Sequence, residues 1–110
     1  MPTCFAAVET ENASKYLMQL CKHFAHKVDV DYDSAQARVE FPPGRCMMTA
    51  EGSTLSFYCR SGEDRGIAVM QHILSDHLTR FAWREDITFD WREQFPEPVP
   101  DVVRLGFDAG

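Results

Sequence analysis

From Val28 to Arg60 apolar side chains recur at every second position, the period of strands with one face in a core and the other towards water. Val28, Val30 and Tyr32 alternate with Asp29 and Asp31, and Ala37, Val39 and Phe41 alternate with Arg38 and Glu40. Cys46 and Met48 continue one face, and Leu55, Phe57 and Cys59 alternate with Ser56, Tyr58 and Arg60. Asp33-Ser34, Pro42-Pro43-Gly44 and Glu51-Gly52 lie between the runs and read as turns, so the stretch predicts four strands in a meander. Outside it the period changes. Ala13, Tyr16, Leu17, Leu20, Cys21 and Phe24 fall on one stripe of a helix from an N-cap at Thr10 to about His26. Lys15, Gln19, Lys22 and His26 fall opposite, which makes the outer face cationic. A second helix, capped by Ser61 with Asp64 at its third position, carries Ile67, Met70, Ile73, Leu74, Leu78 and Phe81 on one stripe and ends near Arg80.

Cys4 to Glu9 adds a strand before the first helix, and Ile87, Phe89 and Trp91, alternating with Thr88, Asp90 and Arg92, add one after the second. The order β-α-β-β-β-β-α-β segregates strands from helices. It predicts an α+β fold of two layers: a mostly antiparallel sheet with both helices on one face and a charged opposite face open to water. Residues 1–93 read as a single domain and 94–110 as a tail. Pro96, Pro98 and Pro100 block regular pairing there and predict an extended chain. Phe95, Val99, Val102, Val103, Leu105 and Phe107 are more apolar than a solvated acidic tail requires. They predict that the tail packs on a protein surface, either its own domain or a second copy in a homodimer.

With 110 residues, 45% of them hydrophobic, the chain has the composition of one globular domain. Its net charge of -6 is unevenly spread: +1 over residues 1–27, -3 over 28–83 and -4 over 84–110. That balance repels phosphate backbones and anionic lipid, and argues against nucleic acid or a membrane as partner. No apolar run approaches the roughly 20 residues of a membrane span, and Met1 to Val8 lacks a secretory signal, so a cytoplasmic protein is expected. Cys4, Cys21, Cys46 and Cys59 form no CxxC pair and are expected as thiols.

The candidate chemistry lies in the histidines. His23 and His26 are three apart on a helix, about 60° in azimuth, near enough to share a metal or an anionic ligand. Beside Lys22 and Lys27 they also suit a cationic edge that recognises an anion or a partner, or a simple complement to the helix C-terminus. An HxxH pair lacks the third and fourth ligands of a full metal site. His77 falls within the apolar stripe of its helix, which predicts a buried ring bonded to a backbone carbonyl or a tyrosine, or facing Cys46 and Cys59. Asp76, Arg80, Arg84 and Glu85 read as an ion-pair cluster at the helix end. No nucleophile elbow, HExxH, P-loop or carboxylate pair is present, which disfavours an enzyme acting alone.

The segment Tyr16-Leu17-Met18-Gln19-Leu20-Cys21-Lys22-His23-Phe24-Ala25-His26-Lys27, with Phe41-Pro42, Gly44, His77-Leu78-Thr79-Arg80-Phe81-Ala82-Trp83-Arg84-Glu85 and Trp91, resembles a bacterial family of small uncharacterised domains. The likeness runs from about Ala6 to Trp91. It implies a place beside siderophore-interacting flavin reductases, which release iron from ferric siderophores, and hence an accessory role in iron use. Two readings follow: a binding or accessory domain that recognises a reductase or an anionic small ligand through Lys22, His23, His26, Lys27, His77, Arg80 and Arg84, without a cofactor; or a metal-binding protein or metal-dependent enzyme using a transition metal on His23 and His26.

Overall fold

A computed structural model describes residues 1–108. The chain runs β1 (Thr3–Glu9), α1 (Ala13–Phe24), β2 (Asp29–Tyr32), β3 (Gln36–Phe41), β4 (Gly44–Glu51), β5 (Thr54–Ser61), α2 (Asp64–Phe81) and α3 (Asp101–Asp108). The strands form one sheet in the order β1-β5-β4-β3-β2, every pair antiparallel. The meander β2 to β5 follows from the period-two runs and their turns. β1 then pairs with β5 at the far edge.

Because the register is continuous, one row of side chains crosses all five strands: Val30, Val39, Cys46, Cys59 and Cys4 stand in line. Against this face α1 buries Ala13, Tyr16, Leu17, Leu20, Cys21 and Phe24, and α2 buries Met70, Leu74 and Leu78. The six α1 residues are the predicted stripe. Each fully buried Leu contributes about 1.5–3 kcal/mol relative to an exposed one, so this layer holds the helices in place.

The first helix begins at Ala13 with Asn12 in the cap position, and neither this cap nor Glu63 of α2 makes a side-chain cap hydrogen bond. Thr10 and Ser61, expected as caps, act earlier. The Thr10 hydroxyl accepts from the Asn12 amide at 3.1 Å, and that of Ser61 donates to the Pro43 carbonyl at 2.7 Å. The expected last strand reduces to one bridge, Phe5 to Arg92. Ile87, Phe89 and Trp91 still pack on the core, and Phe89 and Trp91 stack at 5.4 Å. The β1 edge takes only this single bridge, so alternation here reports which residues face the core and not ladder pairing.

Two corrections concern the tail and the sheet face beneath it. Asp101–Asp108 is helical, because proline excludes helix only before itself. Pro100 stands at the helix start, where its carbonyl accepts from the amides of Val103 and Arg104, each at 3.0 Å. The second sheet face is not open to water. α3 covers it, and Phe5, Met47, Tyr58, Val103 and Phe107 form a second apolar cluster with Phe95, Val99 and Val102 at its border. Arg45 donates to the Gly106 carbonyl and Arg60 to that of Phe107, at 2.8 Å for the latter, satisfying the last turn of α3. β5 is consequently buried on both faces.

Candidate functional site

α1 and α2 end side by side, and their last turns bring His23 and His77 together. The ring centroids lie 4.8 Å apart at 48°. Phe24 packs edge-on to His77 at 5.2 Å and to Phe41 at 5.0 Å, and Phe81 stands 6.0 Å from His23, so the two imidazoles rest on an aromatic floor. His77 Nδ1 lies 2.7 Å from the Ile73 carbonyl oxygen. A carbonyl only accepts, so Nδ1 carries the proton and Nε2 is left for another partner. The carbonyl bond agrees with the expectation for His77; its surroundings do not. The ring is half-buried and meets His23 and Phe24 instead of the thiols. His77 sits on the flank of the Met70, Leu74 and Leu78 stripe, turned to α1 rather than to the sheet.

The surroundings are cationic. His23 is held below the ordinary imidazole value, first by partial desolvation and then by electrostatic interaction with His77, Lys27, His26 and Arg80. His26 and Lys27 follow the end of α1 in an exposed turn, and Lys22 is exposed on its last turn. Among the described residues neither Lys22 nor Lys27 has a carboxylate partner. Arg80 pairs with Asp76 at 3.3 Å, as the spacing of four predicts. Arg84 is elsewhere engaged, its guanidinium 4.7 Å above the ring of Trp83, which is 72% exposed. Thus His23, His77, His26, Lys27 and Arg80 share one field, and Arg84 is not seen to join them. His23 and His26 make no ring contact. No group of three or more His, Cys, Asp or Glu among the described residues could hold a metal ion.

Glu85 has a different role from the ion pairs expected of it. It accepts hydrogen bonds from the hydroxyls of Thr10, at 2.7 Å, and Tyr16, and from the amide of Asn12 at 3.1 Å. The Tyr16 hydroxyl, then the Thr10 hydroxyl and the Asn12 side-chain amide, hold its carboxyl below the usual carboxylate range, and Glu85 in turn raises Tyr16. These bonds tie the start of α1 to the segment after α2. Tyr16 itself signals this: a stripe tyrosine needs a partner for its hydroxyl. A separate cleft of about 670 Å³ lies between the start of β1, the first turns of α2 and residues 91–94.

The chain is similar to the NMR structure of PA4090 from Pseudomonas aeruginosa, with 29% identity and a TM-score of 0.72 over 84% of this chain and 96% of that one. No curated protein matches it. No helix among the described residues is long and apolar enough to cross a membrane. Residues 5–92, nearly all that precedes the proline-rich segment, match the family described as an uncharacterized protein conserved in bacteria (DUF2218), and the chain belongs to that family.

Proposed function

We propose that the protein is a binding domain that recognises an anionic ligand, or an acidic surface of a partner, at the junction of α1 and α2. One observation carries this reading: the strings LCKHFAHK and HLTRFAWRE, more than fifty residues apart, meet through His23, His77 and Phe81. In a chain of net charge -6, their meeting concentrates Lys27, Arg80 and three imidazoles on one edge. Such a patch draws anions against the field of the whole molecule. The aromatic floor adds apolar contact, which suits a ligand with conjugated rings as well as charge. The resemblance implies that the ligand is a ferric siderophore or the acidic face of a siderophore-interacting flavin reductase, in the cytosol.

Titration of the protein with a ferric catecholate siderophore, and separately with a siderophore-interacting reductase, tests the proposal. Saturable binding that weakens with salt and is lost in the double variant His23→Ala, Lys27→Ala supports it. Absence of binding to both, or loss that is equal in Lys15→Ala, sinks it. A metal reading has one observation behind it: the Ile73 carbonyl fixes the His77 tautomer and leaves Nε2 beside His23, the arrangement that outer partners give metal-bound histidines. Lys27 and Arg80 oppose a cation there. A stoichiometric transition metal retained through dialysis by the parent and lost in His77→Ala would favour that reading.

A further inference from the structure

Three of the four cysteines share a row of the sheet. Cys4 of β1 stands opposite Cys59 of β5, and Cys59 stands opposite Cys46 of β4. All three are buried on the helix-facing side as free thiols in one apolar cluster, so Cys59 has a thiol opposite it on each side. Opposed residues of antiparallel strands have Cα atoms about 4.5–5.5 Å apart. A disulfide spans about 4.4–6.8 Å between Cα atoms, so the register puts both pairs within bridging separation.

We propose that Cys4 and Cys59 form a peroxide-oxidisable pair that closes into a cross-strand disulfide. Access singles out Cys4. It lies on the edge strand at the wall of the 670 Å³ cleft, beside Ile67, Gln71 and Trp91, whereas Cys46 lies on a central strand with its Sγ 3.7 Å from the Met47 carbonyl. The Gln71 side chain lines the same wall and favours the Cys4 thiolate, against the neighbouring Cys59 thiol and the burial that hold the Cys4 thiol protonated. Oxidation is therefore slow and begins when the start of β1 opens.

The Cys4 thiolate attacks one oxygen of hydrogen peroxide, the O–O bond breaks, and hydroxide leaves to become water with the thiol proton. The Cys59 sulfur then attacks the sulfenic Cys4, the S–S bond forms, the S–O bond breaks, and a second water leaves with the Cys59 proton. Two electrons pass from the thiols to the peroxide. Cys59, opposite Cys4 in the register, is the resolving thiol.

The test treats the folded full chain with hydrogen peroxide, alkylates remaining thiols and maps peptides without reduction. The expected product joins the Cys4 and Cys59 peptides, lighter by two hydrogen atoms, with Cys21 and Cys46 alkylated. Gln71→Leu slows its formation. Cys59→Ser leaves Cys4 as a sulfenic acid that dimedone captures; should that variant fail to fold, the mapping of the parent decides. A Cys46–Cys59 linkage overturns the proposal. So do four alkylated thiols under a peroxide dose that oxidises the urea-unfolded chain.

Discussion

The His23 ring shows how a single residue's environment sets its behaviour. Desolvation, the cations Lys27 and Arg80 and the neighbouring imidazoles of His77 and His26 make its charged form costly in the free protein. A bound anion reverses the sign of that field, so binding takes up a proton. Affinity for an anionic ligand is expected to tighten as pH falls through the ordinary imidazole value of about 6.5 and to level off below it. Isothermal titration in buffers of different ionisation heat measures the proton uptake. An affinity independent of pH between about 5.5 and about 8 would remove His23 from the site. The free protein responds in the opposite sense. A lowered imidazole contributes stability that is present above the unfolded value of 6.5 and is lost as pH falls through the folded one.

Glu85 titrates in a separate window. Its carboxyl is lowered by Tyr16, Thr10 and Asn12, so its stabilising bonds are present above the unfolded value of 4.5 and disappear as pH falls through the folded value. Glu85→Gln is expected to lower the melting temperature at neutral pH, and the difference from the parent is expected to shrink in acid. Tyr16→Phe follows the same profile if the hydroxyl is the main donor. Thermal unfolding of the three proteins at pH about 7 and about 3 checks this; a gap unchanged by acid would show that the bonds do not depend on the carboxylate.

At the scale of elements, the two turns of the β3-β4-β5 meander tolerate change differently. Gly52 has φ of 60° and open space around it, which is a conformational demand on the backbone alone. Gly44 opposes Ser61 in the β4-β5 register, and a Cβ there would run into the Arg60 carbonyl and the Ser61 backbone. Gly44→Ala must therefore push β4 from β5, at a cost of about 1–3 kcal/mol or more. Urea unfolding is the measurement, and an unchanged midpoint would mean the strands open there at little cost. Gly106 of α3 meets the end of the flexible Met47 side chain instead, so Gly106→Ala is expected to cost less than Gly44→Ala.

For the whole molecule, the question is what α3 does for the sheet. The family match ends at residue 92, and α3 with the apolar residues before it lies beyond that match. Removing residues 94–110 bares Phe5, Met47 and Tyr58, each nine percent exposed or less with the tail in place. The shortened chain is expected to melt lower with unchanged mass by light scattering, because the tail covers its own sheet. A dimeric parent that becomes monomeric on truncation would instead show exchange between copies. An unchanged melting temperature and mass would mean the second cluster contributes nothing measurable.

What the sequence determined by itself is periodic. Strands from Val28 to Arg60 and the stripe from Ala13 to Phe24 are legible because each records a local backbone repeat and one core direction. The α+β class followed from the same pattern, since strands segregated from helices leave few ways to bury one face each. Asp76 with Arg80 was legible for the same reason, as both lie on one helix. The tertiary structure decided everything that depends on meetings between distant segments. Azimuth placed His77 among core residues, but only the packing of α2 against α1 turned it to His23. Spacing joined His23 to His26, and the structure adds His77 beside His23 from the other helix. Glu85 looked like an arginine partner until the β1-α1 connection supplied two donors, Thr10 and Asn12, and α1 a third, Tyr16. The prolines of the tail marked where helix is excluded and not where it begins, and the face that α3 covers read as solvent because alternation shows that a strand has two faces but not what lies against each.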